Sequence, residues 1–386
     1  MDFFEQSLAV HKQKKGKVAI KSKVQLRNRD DLSVAYTPGV AAVCKEIAAH
    51  PELVFTHTMK ANSVAVVSDG SAILGLGNLG AEAAIPVMEG KAILFKKFAN
   101  IDAWPICVKS QQAEDIVAVV KQIAPVFGAV NLEDIAAPAC FEVEAALQEI
   151  GIPVMHDDQH GTAVVVFAAL MNAVKVVGKQ LSSLRVVING AGAAEMAVAN
   201  ILQDSVQEII LCDTTGAIFD GRTANMNSYK QEIAKRTNSR KIQGVLADAL
   251  VGADVLVGVS AQGVVTQDMI RRMAPKAIVF AMANPVPEIM PDEAKSAGAA
   301  IVASGRSDFP NQVNNVLAYP GIFRGALDAG AVKITKGMKV AAANALASCV
   351  EPTADKIIPS PFDKGFVRKI AHAVAKAAKK EGVVRK

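Results

Sequence analysis

The sequence has few cysteines, few aromatic residues and no uncharged run long enough to cross a membrane. Its five cysteines are scattered along 386 residues, which favours reduced core thiols over a disulfide framework. The uncharged apolar run at residues 161–174 is shorter than the about 20 residues that a membrane-spanning helix needs. The first residues carry acids instead of the basic and apolar regions of a secretory signal, so we expect a cytoplasmic protein without a membrane segment.

The length and composition predict a large apolar core, divided between two domains. Hydrophobic residues make up 51% of the chain, and chains of this length usually split into more than one domain. Lysine and arginine are concentrated in residues 1–29 and 364–386. These basic ends lack interleaved aromatic residues, so we interpret them as solvated or subunit-packing faces and expect no nucleic-acid partner. An apolar chain with few aromatic residues indicates a homodimer or a larger homo-oligomer.

The order of apolar runs predicts an α/β protein with two regions. In the first region we predict strands at 63–68, 91–95 and 129–132 and a helix at 113–127. After a helix at 161–177, the second region alternates more regularly, with strands predicted at 184–189, 208–212, 255–259 and 277–281. This alternation is typical of a doubly wound parallel sheet. The crossing between the regions is predicted near residues 151–158.

A strand, a glycine-rich turn and a helix start predict a dinucleotide site in the second region. Gly190, Gly192, Ala193 and Ala194 form the turn on which a pyrophosphate would lie. The next predicted strand ends in Asp213, where a carboxylate can bind the ribose hydroxyls. Thr214, Thr215 and Gly216 offer no cation for a 2′-phosphate, which favours NAD, although Arg222 or a distant lysine could fold in and accommodate NADP. Glu195 replaces the third glycine, and it either points to solvent or weakens cofactor binding.

Four acids at two predicted strand ends indicate a site for a hard cation. Glu133 and Asp134 follow one strand, and Asp157 and Asp158 follow another. Clustered carboxylates repel one another without a cation, and ligand sets made only of oxygen suit Mg²⁺ or Mn²⁺. Two alternatives stay open: a zinc site at His156 and His160, and plain helix capping by the acids.

Two further residues are candidates for proton transfer. Tyr36 lies in a Pro-Gly turn, which can hold its ring rigidly beside a cleft, and Lys91 opens the predicted strand at 91–95. A second glycine-rich segment, at residues 75–80, is predicted to line a substrate cleft. Taken alone, a tyrosine in a turn is more typical of packing, and a lysine at a strand start is more typical of a solvated side chain.

Together these motifs resemble the malic enzymes of the short bacterial and archaeal type. The resemblance covers residues 13–350 and rests on YTPGVA at 36–41, GLGNLG at 75–80, PVMEGK at 86–91, NLEDI at 131–135, HDDQHGTA at 156–163, ANP at 283–285 and SGRSD at 304–308 with Asn314 and Asn315.

The resemblance implies a malic domain at residues 1–158 and a Rossmann-like NAD(P)-binding domain with C-terminal helices at 159–386. It implies oxidative decarboxylation of L-malate to pyruvate and CO₂, with NAD or NADP and with Mg²⁺ or Mn²⁺. The residue roles that it implies are the following: Tyr36 as general acid, Lys91 as general base, Asp157 as the residue that orients Lys91, Glu133, Asp134 and Asp158 as metal ligands, and Asn284 and Asn315 as contacts of the substrate or the nicotinamide ribose.

The chain departs from the family at two places. Ser71 and Ala72 stand where the large eukaryotic members carry an arginine, so the malate carboxylate must be held otherwise. Glu195 replaces the usual glycine, which puts cofactor affinity in question. Two other functions remain open: a metal-dependent dehydrogenase of another malate-like 2-hydroxy acid such as tartrate, and a catalytically silent NAD-binding regulator.

Overall fold

The computed structural model describes residues 3–73 and 76–385, beginning with a helical N-terminal arm that we define as residues 3–59. None of the residues in this arm is buried. Its helices are α1 (Phe3–Lys14), α2 (Arg29–Ala35), α3 (Val40–Ala49) and α4 (Val54–His57).

A four-stranded parallel sheet follows the arm. Its strands are β1 (Ser63–Ser68), β2 (Asp102–Cys107), β3 (Ala129–Leu132) and β4 (Val154–His156), in the order β2-β1-β3-β4. The helices between them are α5 (Ala81–Ala99), α6 (Ala113–Ile123) and α7 (Ala139–Ala146). The predicted strands at 63–68 and 129–132 are confirmed, whereas β2 is not among the predicted strands.

The predicted strand at 91–95 is wrong, because these residues lie within helix α5. The buried side chains of α5 include Ala84, Met88, Lys91, Ala92 and Phe95, a spacing of three and four residues that gives one helical face. Residues 91–95 match a short apolar strand only when they are read without the ten helical residues before them. Lys91 therefore projects from the inner face of a helix.

Helix α8 (Asp157–Val177) joins the two halves of the chain. By length and composition alone it could cross a membrane, but 72% of its apolar stretch is buried inside the protein. One continuous apolar core runs from β1 and α5 through α8 into the second half of the chain. Helix α8 is thus a core helix, and the predicted domain boundary at 158/159 falls in its first turn. That division stays a prediction.

The second sheet has six strands and carries the glycine-rich turn. Its strands are β5 (Arg185–Asn189), β6 (Glu208–Asp213), β7 (Gly216–Ala217), β8 (Val255–Gly258), β9 (Ile278–Ala281) and β10 (Ile301–Ser304), in the order β10-β9-β8-β5-β6-β7. All pairs are parallel except β6 with β7. The helices are α9 (Ala193–Leu202), α10 (Ser228–Ala234), α11 (Leu246–Ala249), α12 (Gln267–Arg271) and α13 (Pro291–Ser296). The predicted doubly wound parallel sheet is confirmed, with β7 and β10 added.

Three C-terminal helices close the core and bring the end of the chain back to the first sheet. They are α14 (Tyr319–Ala329), α15 (Lys336–Ala347) and α16 (Phe366–Lys380). Helices α14 and α16 contact α5, while α15 packs on α8. The chain that follows the second sheet therefore covers the helix that carries Lys91.

Asn172 ties α8 to this C-terminal region. Its side chain is fully buried, and its Nδ2 donates to the carbonyl oxygens of Ala347 at 2.8 Å and Ile357 at 2.9 Å. A buried carbonyl that loses its donor is costly, since neither water nor another group replaces the bond.

We expect Asn172→Ala to lower the free energy of unfolding by about 2–4 kcal/mol, because two buried carbonyls lose their donor. The measurement is the midpoint of urea denaturation. Asn344→Ala is the matched control, since Asn344 is exposed on α15 and its side-chain amide donates to the Val340 carbonyl one turn earlier in the same helix. Equal midpoints for the two variants would contradict this role of Asn172.

Candidate active site

The acids predicted as a cluster do converge, at the carboxyl ends of β3 and β4. These strands are neighbours, with Leu132 paired to His156, so the residues that follow them meet at one edge of the sheet. Glu133 and Asp134 follow β3, whereas Asp157 and Asp158 form the first turn of α8. The predicted helix start at residue 161 was four residues late, because acids in the first turn are favoured by the helix dipole.

Glu133, Asp134 and Asp158 form a candidate metal site. One oxygen of each side chain lies within 4.8 Å of the others. Asp158 Oδ2 also accepts a hydrogen bond from the backbone N–H of Asp134 at 2.7 Å, and Asp134 has a left-handed backbone with φ 52°. His156 Nε2 lies 3.1 Å from the same Asp158 oxygen, which fixes the orientation of that carboxylate.

The amine of Lys91 is held beside this cluster. Its Nζ lies 2.6 Å from Asp157 Oδ2 and 2.7 Å from Glu133 Oε1, and the side chain is only 7% exposed. The predicted pairing of Asp157 with Lys91 is thus present in the structure. Glu133 contacts the lysine as well, and so links it to the metal site.

The charges of the cluster fit a divalent cation. Burial, together with the nearby carboxylates of Asp158 and Asp157, raises the pKa of Glu133 well above its usual range despite the Lys91 ammonium. Burial likewise raises the pKa of Asp157 to about 6, although Lys91 opposes the shift. One ammonium does not balance these carboxylates, and their all-oxygen donor set is the type that Mg²⁺ and Mn²⁺ prefer.

The pKa of Lys91 is shifted opposite to the direction that a base at neutral pH requires. Burial lowers this pKa, but the negative charges of Asp157 and Glu133 outweigh burial and raise it well above its usual value. A lysine acts as a base at neutral pH only where burial and a nearby cation lower its pKa. A cation bound by the same carboxylates would offset the charge that now stabilises the ammonium.

Gly161 brings Asn315 to this cluster. A side chain at Gly161 would collide with Asp157, since its Cβ would lie 1.9 Å from Asp157 Oδ1 and 3.1 Å from Asn315 Cβ. The glycine one helical turn after Asp157 therefore leaves room for both neighbours. Asn315 lies beside the catalytic candidates, as a substrate contact would.

Tyr319 belongs to the site but was missed by the sequence analysis. It is fully buried at the start of α14, and its ring centroid lies 4.2 Å from Lys91 Nζ. Its ring also packs edge-on against Phe95 at 4.7 Å. One feature of the sequence could have shown this residue: Tyr319 lies four residues after the predicted contact residue Asn315, at the start of the next helix.

Glu144 was also missed, and it fixes the turn between β4 and α8. Its carboxylate accepts hydrogen bonds from the backbone N–H of His156 at 2.9 Å and from Gln159 Nε2 at 3.2 Å, and it contacts His160 Nε2 at 2.9 Å. Although burial alone would raise its pKa, His160 and the His156 N–H lower the pKa of Glu144 to about 2. His156 and His160 thus face different carboxylates, which speaks against a zinc site formed by both.

The glycine-rich turn opens onto a cavity of about 440 Å³ at the end of the second sheet. Gly190 has φ 123°, and Gly192 precedes helix α9. Asn189, Gly190 and Asp213 line the cavity. Ala193 and Ala194 form the first helical positions, so the predicted strand–turn–helix is present and a dinucleotide fits its geometry. The predicted contact residue Asn284 is exposed and lies next to Gly305. A Cβ atom added at Gly305 would lie 2.8 Å from Asn284 Nδ2.

Two cations contact Asp213, and one of them is Arg222, the residue that could fold in to accommodate NADP. Arg222 Nη2 lies 2.5 Å and Lys230 Nζ 2.7 Å from Asp213 Oδ2. Although burial opposes them, these two side chains lower the pKa of Asp213 to about 2. Arg222 lies nine residues after Asp213 in the chain. The sequence next to Asp213 therefore could not show where its side chain lies. The ribose end of the cavity can therefore serve either NAD or NADP.

Glu195 does not point to solvent. It is 5% exposed, and its Oε2 accepts the backbone N–H of Gly192 at 3.1 Å. An added Cβ at Gly190 would lie 1.8 Å from Glu195 Oε1. The side chain is therefore folded against the turn that should bind phosphate.

Tyr36 is not brought to Lys91 within the described residues of this chain. It follows α2 in the exposed N-terminal arm and is 66% exposed. The predicted substrate loop at 75–80 falls partly outside the described residues, at Gly75. Its last residue, Gly80, directly precedes α5.

The sequence was compared with family models and with known proteins, and both kinds of match are to malic enzymes. The family model for the malic enzyme N-terminal domain matches residues 13–115, and that for the malic enzyme NAD-binding domain matches residues 159–381. The chain is 55% identical to a bifunctional malic/malolactic enzyme of Bacillus subtilis, covering 100% of this chain and 95% of the relative. It is 52% identical to an NAD-dependent malic enzyme of Geobacillus stearothermophilus, covering 96% and 78%.

A solved structure shows the same fold. The crystal structure of malic enzyme from Pyrococcus horikoshii superposes with a TM-score of 0.96 at 49% identity, covering 100% of this chain and 92% of that one. The sequence identity, the coverage and the arrangement of both sheets agree, and the chain belongs to the malic enzyme family.

Proposed function

We propose that the protein oxidises and decarboxylates L-malate to pyruvate and CO₂ while reducing NAD or NADP, and that it needs Mg²⁺ or Mn²⁺. The observation that carries this proposal is the position of Lys91 Nζ, 2.6 Å from Asp157 and 2.7 Å from the metal-ligand candidate Glu133. The chain contains a candidate base, an all-oxygen candidate cation site and a cavity that fits a dinucleotide. This complete set speaks against a catalytically silent regulator.

Glu133, Asp134 and Asp158 would hold the cation. When bound, the cation supplies positive charge that stabilises the enolate left after CO₂ departs. Asp157 holds the Lys91 amine in place, and Lys91 accepts the proton of the C2 hydroxyl as hydride leaves C2. Asn315 and Asn284 would contact the substrate or the nicotinamide ribose.

We also propose that the working unit is a cytoplasmic homodimer. The N-terminal arm exposes large apolar side chains, among them Phe3 at 84%, Ile20 at 80% and Val34 at 77%. A second copy of the chain would cover such a surface, because exposed apolar clusters mark interfaces. In that arrangement Tyr36 would reach the Lys91 site of the partner subunit and protonate C3 of the enol. We further propose that residues 1–158 form the malic domain and residues 159–386 the NAD(P)-binding domain.

A second activity is suggested by the relative from Bacillus subtilis, whose name includes malolactic enzyme. Conversion of malate to lactate and CO₂ is redox-neutral, so it would need the cofactor to stay bound between oxidation of malate and reduction of pyruvate. An assay for lactate with catalytic amounts of NAD and Mn²⁺ decides whether this chain also does so.

Removal of the proposed base tests the catalytic assignment. We expect Lys91→Ala to lower kcat by about 10²- to 10⁴-fold, because proton removal from the hydroxyl loses its acceptor, while calorimetry still detects NAD binding. Lys96→Ala is the matched control on the same helix, since Lys96 is exposed and pairs with Asp102. A Lys91→Ala enzyme with near-normal turnover would reject the assignment.

Removal of one ligand tests the metal site by a binding measurement that does not depend on enzyme activity. We expect Asp158→Asn to weaken Mn²⁺ binding at least about tenfold, because one charged ligand is lost. Titration with Mn²⁺, followed by the electron paramagnetic resonance signal of the free ion, measures this. Asp115→Asn is the control, since Asp115 is an exposed acid on α6 that bonds Ser110. Unchanged Mn²⁺ affinity in Asp158→Asn would place the metal elsewhere.

Mixing two inactive variants tests whether Tyr36 acts in the partner's site. After exchange of subunits, mixed dimers of Lys91→Ala and Tyr36→Phe should carry one intact site, restoring about a quarter of wild-type activity. Both homodimers serve as controls. If Tyr36 acts within its own chain, mixing restores nothing.

A further inference from the structure

The glycine-rich turn of the cofactor cavity already contains a carboxylate. In dinucleotide-binding folds the pyrophosphate lies on the N–H groups at the start of the helix, and the third glycine lets helix and strand pack closely. Here Glu195 stands in that third position. Its Oε2 accepts the Gly192 N–H at 3.1 Å, and its Oε1 occupies the space over Gly190.

We propose that the Glu195 carboxylate takes the place of a phosphate group in the glycine-rich turn, and that binding of NAD or NADP is accompanied by uptake of one proton at this side chain. The inference rests on the proposed use of NAD(P). It makes Glu195 a determinant of cofactor affinity, because two anions cannot share one small set of N–H donors without neutralisation of one of them.

Within residues 3–73 and 76–385, no lysine, arginine or histidine pairs with the Glu195 carboxylate. The charged group that acts on its carboxylate is another acid, Glu288, which is fully buried and accepts the backbone N–H groups of Ser260 at 2.8 Å and Ala283 at 3.0 Å. Helix α8, strand β5 and strand β6 also pack against α9. Their charged side chains are engaged elsewhere, namely Asp157 with Lys91, Asp158 with Asp134, His160 with Glu144, Lys175 with Asn172, Arg185 with Gly252, Glu208 with Arg240 and Asp213 with Arg222.

Burial and Glu288 raise the pKa of Glu195 to about 7, although the backbone N–H groups oppose the shift. A pyrophosphate in the same turn adds negative charge, so in the complex this pKa must rise further. The protonated form therefore binds the cofactor better. Affinity is highest below pH 7 and falls as the pH rises above 7, by up to about tenfold for each pH unit.

Calorimetric titration of the full-length protein with NAD and with NADP tests this inference, because it needs no turnover. Titrations at pH 8 in buffers of different ionisation enthalpy measure the protons exchanged. We expect uptake of more than about half a proton at pH 8 and a Kd that rises at least about threefold from pH 7 to pH 8. Glu195→Gln should show no uptake, a Kd independent of pH, and tighter binding than wild type at pH 8.

Glu293→Gln is the matched control for loss of a helix cap. Glu293 has the same position in α13 as Glu195 has in α9, and it accepts the Met290 N–H at 3.4 Å on the surface. This variant should keep the wild-type proton uptake, since capping alone does not couple to the cofactor.

The wild-type titration decides the inference even if Glu195→Gln fails to fold. Binding without proton exchange, or with release of a proton, would overturn the inference while leaving the proposed function intact. Absence of binding by both NAD and NADP would contradict the cofactor assignment together with this inference.

Discussion

The site depends on the burial of one ammonium group among several carboxylates. Lys91 Nζ contacts Asp157 and Glu133 at hydrogen-bonding distance, with the Tyr319 ring 4.2 Å away. Such a group is costly to bury unless its partners are fixed. The fold fixes them with separate elements: α5 carries the lysine, the segment after β3 and the first turn of α8 carry the acids, and α14 carries the ring. The continuous core around α8 keeps these elements in register.

The main features of the fold could be predicted because they depend on local periodicity. The strands at 63–68 and 129–132 and the strand–turn–helix at Gly190 follow from short-range patterns, and the structure shows them. Lys91 was placed on a strand because the four apolar residues after it were read without the helical residues before it. The convergence of Glu133 with Asp158 was predictable because the ends of adjacent parallel strands meet at one edge.

The features that could not be predicted depend on contacts between distant parts of the chain. Tyr319 reaches Lys91 only because α14 returns to α5, and the cations at Asp213 come from later loops and helices. Glu195 was recognised as unusual in sequence, but its direction was settled by the structure. The cofactor cavity thus has cations at its ribose end and a buried carboxylate at its phosphate end, so its charge varies along its length.

In the proposed reaction, one metal-dependent site couples oxidation of malate to loss of CO₂. The most direct measurement follows reduced cofactor and CO₂ simultaneously with L-malate, Mn²⁺ and NAD or NADP, before and after addition of a chelator. We expect the two products to form at equal rates and both to be lost when the chelator is added. Reduced cofactor without CO₂, or rates that the chelator leaves unchanged, would contradict it.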